Sequence, residues 1–160
     1  MCLVAGCAGH QRLALQPFET SADGHVKLYY AGDLTESLSD QIKLVETYPP
    51  AFGERSTSLI VGGGRQAFVT DEPGEDAGHV QYLYVQRGDQ LYRVEGVPMG
   101  HRPITGILWR SYYRVQFDRW SNPHFGVRYV IDVQNKRLEM AHAFADEHYI
   151  RSAGGAELIE

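Results

Sequence analysis

Apolar and polar residues alternate in short runs along most of this chain, and turn-forming residues separate the runs. Val26, Leu28 and Tyr30 recur every second residue between Gly24 and Gly32-Asp33, the period of a half-buried strand. The pattern then changes once. Leu34, Leu38, Ile42 and Val45 recur at spacings of four, four and three, which places them on one face of a helix. Asp33-Leu34-Thr35-Glu36 supplies a capping-box spacing ahead of them, and Tyr48-Pro49-Pro50 closes the segment. The spacing predicts one main helix over residues 34–47. A strand over Gln41–Tyr48 is the competing reading of the same residues.

Beyond residue 56 the signals are those of strands. Runs at 57–61, 66–70, 80–86, 90–94, 104–109, 112–117, 127–133 and 137–144 are separated by turn-forming residues. These include Gly62-Gly63-Gly64, the acidic loop 71–76, Arg87-Gly88-Asp89 and Gln134-Asn135-Lys136. Residues 60–101 and 107–148 superpose at an offset of 47, with Ile60 on Ile107, Asp71 on Asp118, Tyr82 on Tyr129 and Leu91 on Leu138. The matching order of strands carries more weight than these identities. The expected fold is mainly β: two antiparallel meanders, arranged as a sandwich or like propeller blades, with one helix near 34–47. Two blades alone cannot close a propeller, so a propeller would need further copies. The expected organisation is a tether over residues 1–20, a single β-rich domain over 21–150 and a polar tail over 151–160.

Composition sharpens this picture. With 160 residues the chain suits one domain, and 43% hydrophobic against 22% charged residues is ordinary globular usage, which excludes wholesale disorder. Ten tyrosines favour strands. A net charge of −5 argues against a general nucleic-acid binder. Cys2 and Cys7 are the only cysteines, so no disulfide or cysteine-based zinc site can form in the body of the chain. No run approaches the roughly 18 apolar residues that a membrane-spanning helix needs.

Val4-Ala5-Gly6-Cys7 resembles the lipobox of bacterial lipoproteins: an aliphatic residue, two small residues, then the cysteine that becomes diacylated. The resemblance implies cleavage before Cys7, lipidation at Cys7, and anchoring at the periplasmic face of a membrane, the outer membrane being expected. Two acyl chains suffice for stable anchoring. Only six residues precede Cys7, fewer than a signal peptide contains, so this reading requires a true start upstream.

No motif assigns catalysis. Gly62-Gly63-Gly64 lacks the Gly-Lys-Ser/Thr ending of a phosphate loop. Seven histidines are present, but His142, Asp146 and His148 do not share the spacing of a zinc motif, so no metal or cofactor is expected. The densest chemistry lies in Trp109–Trp120. There, alternation turns Tyr113, Val115 and Phe117 to the core and Tyr112, Arg114, Gln116 and Asp118 to the opposite face, near Arg110 and Trp120. Arg110, Tyr112, Arg114 and Trp120 are thus the expected binding residues, arginine and aromatic groups being enriched at hot spots. The expected partner is an envelope protein or polymer, with self-association through sheet edges as a further possibility. The rival reading is a hydrolase of envelope polymers using distant His and carboxylate residues.

Overall fold

The computed structural model describes residues 14–48, 55–61, 63–73, 78–98, 104–152 and 157–158. The lipobox-like segment with Cys7 lies outside the described residues. Among the described residues, thirteen strands and two short helices follow in chain order. The first part contains β1 (Ala14–Leu15), β2 (Glu19–Thr20), β3 (Lys27–Asp33), α1 (Thr35–Leu38) and β4 (Lys43–Glu46). A first meander comprises β5 (Arg55–Val61), β6 (Arg65–Pro73), β7 (His79–Arg87) and β8 (Gln90–Glu95). A second comprises β9 (Thr105–Trp109), β10 (Arg114–Asn122), β11 (Phe125–Asp132) and β12 (Arg137–Asp146). The chain then forms α2 (Glu147–Ser152) and β13 (Glu157–Leu158).

The two meanders expected from the sequence are the two main sheets. Their strands pair in the orders β2-β3-β12-β11-β10-β9 and β4-β8-β7-β6-β5, each neighbour antiparallel. The strands of the 47-residue repeat fall into register with one another: β5 to β8 correspond to β9 to β12. Each meander also gains one earlier strand on its last member. β3 pairs with β12, and β4 pairs with β8. The segment from Lys27 to Glu46 therefore straddles both sheets and ties them together.

One hydrophobic core lies between the sheets, which makes the molecule a sandwich. Ala67, Val69, Leu83, Val85, Tyr92 and Val94 face it from one sheet, and Val115, Phe117, Tyr129, Ile131 and Leu138 from the other. These are alternate residues along each strand, as the pleat requires. Phe68, Tyr84 and Leu91 point the opposite way on the first sheet and form a second buried cluster.

The expected helix over 34–47 shortens to α1, and residues 43–46 are the strand β4. Burial discriminates between the two periods. Leu44, off the helical face, is 9% exposed, whereas Val45, on that face, is 40% exposed. Pairing with β8 satisfies a row of backbone groups that would otherwise form an open edge, and the same strand places Ile42 and Leu44 in the core. The cap is half realised: Asp33 Oδ1 accepts the Thr35 N–H at 2.9 Å. Thr35 instead turns to the second sheet, its Oγ1 accepting the Ala141 N–H at 3.0 Å while Leu34 N–H donates to the Ala141 carbonyl at 2.8 Å.

Both ends reach into the folded unit. β2 lies in the segment read as a tether and extends the six-stranded sheet, while β1 pairs in parallel with β13. Among the described residues, no helix is long and apolar enough to cross a membrane.

Candidate functional site

At one end of the sandwich the β5–β6 turn, the β7–β8 hairpin and the β9–β10 connection come together. Gly63, Gly64 and Gly88 adopt positive φ values of 81°, 70° and 59°, which permit the tight reversals. Gly88 N–H donates to the Gly64 carbonyl at 2.9 Å, locking two of the turns to each other. The β6–β7 register sets Arg65 directly opposite Arg87. Like charges facing each other across strands repel. The β9–β10 connection offsets this by bringing the Tyr112 ring within cation–π distance of both.

The result is a ladder of alternating rings and guanidinium groups. The Arg65 guanidinium carbon lies 5.5 Å from the Trp109 ring centre and 4.6 Å from that of Tyr112. Arg87 lies 5.3 Å from Tyr112 and 4.5 Å from Tyr113. Tyr112 and Tyr113 meet edge to face at 4.9 Å. Arg65 Nη1 also donates to the Ser111 carbonyl at 3.2 Å. Each cation–π contact contributes about 0.5–1 kcal/mol where solvent reaches it. The ladder thus fixes two long cationic side chains that would otherwise be mobile. Tyr112 stays 47% exposed, and Arg110 beside it is exposed as well. This end is locally cationic in a chain of net charge −5. Nε of Arg87 and Nε1 of Trp109 are buried without a hydrogen-bond partner among the described residues.

The four residues singled out from the sequence do not form one surface. Arg110 and Tyr112 stand together at the ladder. Arg114 faces outward from β10 and is engaged by Glu139, its Nε donating to both carboxylate oxygens at 2.8 and 2.5 Å. Trp120 is six residues further along the strand, about 20 Å away. Its indole N–H donates to Thr105 Oγ1 at 3.1 Å, and its ring packs on Phe144. Val115 and Phe117 enter the core as expected, whereas Tyr113 is half-buried in the ladder.

The outward face of β10 is also covered rather than free. Gln116 and Asp118 are buried there. Asp118 binds Arg128 through two bonds of 2.8 Å, and Arg128 reaches on to Glu19 at 2.6 Å. Burial raises the Asp118 carboxyl above its ordinary value, with the Arg128 guanidinium pulling the other way.

Sequence reasoning missed Arg65, Arg87 and Tyr113 as partners of Tyr112, and Trp109 as a partner of Arg65. Their signal was positional. Arg65 follows the glycine run, and Arg87 precedes Gly88, so each stands at a strand end beside a turn.

Among the described side chains, the histidines paired with carboxylates separate into two groups. His142 pairs with Asp33 at 3.6 Å and packs edge to face on Tyr30. His124 Nδ1 lies 2.5 Å from Asp146 Oδ2, and its ring sits 4.6 Å from that of His148. Asp146 also caps α2, Oδ1 accepting the Tyr149 N–H at 3.0 Å. An open depression of about 390 Å³ borders this group, lined by His25, Lys27, Asp146, Glu147, His148 and Arg151 among others. Among the described residues, no three His, Cys, Asp or Glu side chains are arranged to hold a metal ion. His10 and His101 lie outside the described residues.

No family model matches the chain, and neither a curated protein nor a solved structure matches it.

Proposed function

We propose that this protein is a non-catalytic binding module of the bacterial envelope, lipid-anchored through Cys7, whose ladder end takes up carboxylate groups of an acidic envelope polymer. The observation that carries the reading is the ladder itself. Arg65 and Arg87 are held by Trp109, Tyr112 and Tyr113 at ring distances of 4.5–5.5 Å. Two arginines lie within cation–π distance of the Tyr112 ring, so the ring serves to position guanidinium groups. The Arg87 guanidinium, with the exposed Arg110, suits carboxylates, which arginine binds with a planar fork that lysine lacks. Pre-ordering the side chains also lowers the entropic cost of binding.

The test is affinity electrophoresis through gels containing polygalacturonate, with neutral dextran as the comparison. Retardation by polygalacturonate alone supports the reading. An Arg110→Ala/Tyr112→Ala variant should weaken it by about tenfold or more, the scale of hot-spot losses. Equal retardation in both gels, or an unchanged variant, refutes it. Anchoring is tested separately by fatty-acid labelling of a full-length gene and its Cys7→Ser form, where equal labelling of the two rules the anchor out.

The His124–Asp146 contact of 2.5 Å favours one second reading, hydrolysis of envelope polymers, because a carboxylate on Nδ1 orients an imidazole for general-base work. Release of new reducing ends or amines from envelope fragments, lost in His124→Gln, would support it over the binding module.

A further inference from the structure

We infer that a pocket on the outward face of the five-stranded sheet binds a cationic amino sugar, a pyranose carrying a free ammonium group. It does not rest on the ladder reading, since the two sites have no side chain in common.

The pocket measures about 530 Å³, a size typical of small-molecule sites, which span about 300–1,000 Å³. Strand register explains how it forms. Phe68 lies opposite Tyr84 across β6 and β7, and Gln86 lies opposite Leu91 across β7 and β8. Tyr84 and Gln86 are alternate residues of β7, so they share the face turned away from the core between the sheets. Phe68 and Leu91 belong to the buried cluster on that face and give the pocket its apolar wall. Arg87, one residue beyond Gln86, points the opposite way and belongs to the ladder. At the sheet edge, Thr47 N–H donates to the Leu91 carbonyl at 2.9 Å. This bond carries the chain past the end of β4 and sets Tyr48 on the pocket lining, with 90% of its surface exposed.

The polar wall is one of acceptors. Glu46 reaches it from β4 and Asp89 from the β7–β8 turn, and neither carboxylate has a hydrogen-bond or ion-pair partner among the described residues. Gln86 Nε2 donates to the Gly88 carbonyl at 3.0 Å, which orients the amide and leaves Oε1 as a third acceptor. No lysine, arginine or histidine is among the described lining residues. Acceptors of which two are negatively charged select a ligand that is rich in donors and positively charged. The open Tyr48 ring adds a second requirement, an apolar face to lie against it and a cation to meet its π-system. An amino sugar satisfies both. Its ring C–H groups form an apolar face, while its hydroxyls and ammonium donate from the edge. A small ammonium ion without a ring would leave Tyr48 and most of the volume unused.

The experiment titrates the full chain with the β-1,4-linked disaccharide of glucosamine, following the Tyr48 and Leu91 resonances by NMR. It is run at about pH 6, where amines of the α-amino type are charged. This probe should saturate the shifts at millimolar concentration. Cellobiose, with hydroxyls in place of both amines, and ethanolamine, with the charge but no ring, should each bind at least about tenfold more weakly, the scale of one charge-assisted hydrogen bond. Tyr48→Ala should weaken the glucosamine disaccharide about tenfold without loss of folding, because the side chain is exposed. Glu46→Gln/Asp89→Asn should bind it no better than cellobiose. Absence of saturation, equal binding of cellobiose or ethanolamine, wild-type binding by Tyr48→Ala, or an undiminished preference for the amine in the double variant overturns the inference. If the double variant fails to fold, the comparison of probes on the wild-type protein decides it. None of the probes carries a carboxylate, so the outcome is read separately from that of the polygalacturonate gels.

Discussion

Replacing Arg128 with methionine tests how the outer face of the six-stranded sheet is held together. Asp118 and Arg128 are joined by two bonds of 2.8 Å, with side chains only 7% and 14% exposed. Arg128→Met removes the cation and leaves the Asp118 carboxylate buried. Glu19 is half-exposed and can rehydrate, so the stranded charge is that of Asp118. Breaking a buried pair from one side costs about 3–5 kcal/mol. The lower end, about 3 kcal/mol, applies here because the site lies on an outer face. Part of the loss is packing, since the Arg128 guanidinium lies over Phe18 at 5.4 Å and Phe144 at 6.0 Å.

Acidity separates the two components. Asp118 already titrates above 3.8 in the folded protein because of burial. A raised carboxyl keeps its proton where the unfolded chain has lost it, so its contribution to stability is greatest below 3.8 and declines as pH rises. Without Arg128 that pKa climbs further. Urea unfolding should therefore show a large deficit near neutral pH that shrinks as the pH is lowered and Asp118 protonates. The double variant Asp118→Leu/Arg128→Met should return to within about 1 kcal/mol of wild type, because an apolar pair removes both charges. A deficit independent of pH, or a double variant as weak as Arg128→Met, would refute this account.

Three further outcomes are expected. Leu44→Ala should cost about 2–4 kcal/mol in chemical unfolding, while Val45→Ala stays within about 0.5 kcal/mol, and the reverse order would contradict the strand assignment. Gly96→Ala should destabilise by at least about 2 kcal/mol in the same assay, because a Cβ there would lie 1.9 Å from the Gln41 carbonyl oxygen at a φ of +80°; a neutral result would contradict that packing. Burial pushes Tyr84 and Tyr129 up to about 12, so they keep protons that the unfolded chain sheds near 10, and stability should fall as pH rises between those values. Ultraviolet titration of Tyr84→Phe should lose one phenol from the late-ionising fraction.

Much of the β architecture was legible because its physics is local. A pleated strand with one buried face needs alternate apolar residues, and tight reversals need glycine, asparagine or aspartate, so the strands at 90–94 and 137–144 could be read from a few neighbours each, short of their full extents Gln90–Glu95 and Arg137–Asp146. The helix at 34–47 misled for the same reason. Over so few residues, Leu34, Leu38, Ile42 and Val45 satisfy a helical period, while Ile42 and Leu44 satisfy an alternating one. The free edge of β8, some 50 residues away, selected the second.

The candidate site shows the same division. The concentration of arginine and aromatic residues between Trp109 and Trp120 was visible in the chain, and Tyr112 and Arg110 do stand at the ladder. What made the ladder was pairing across sequence distance. The β6–β7 register set Arg65 against Arg87, and the face-to-face packing of two sheets brought Tyr112 within cation–π distance of both. Those same contacts removed Trp120 to the far end and committed Arg114 to Glu139. Sequence by itself determined the strands of the two meanders, their turns and the twofold repeat, because each depends on the conformational preferences and burial of adjacent residues. Only the tertiary structure decided which side chains meet, because register and sheet stacking are set by summed contacts between segments that carry no local mark of one another.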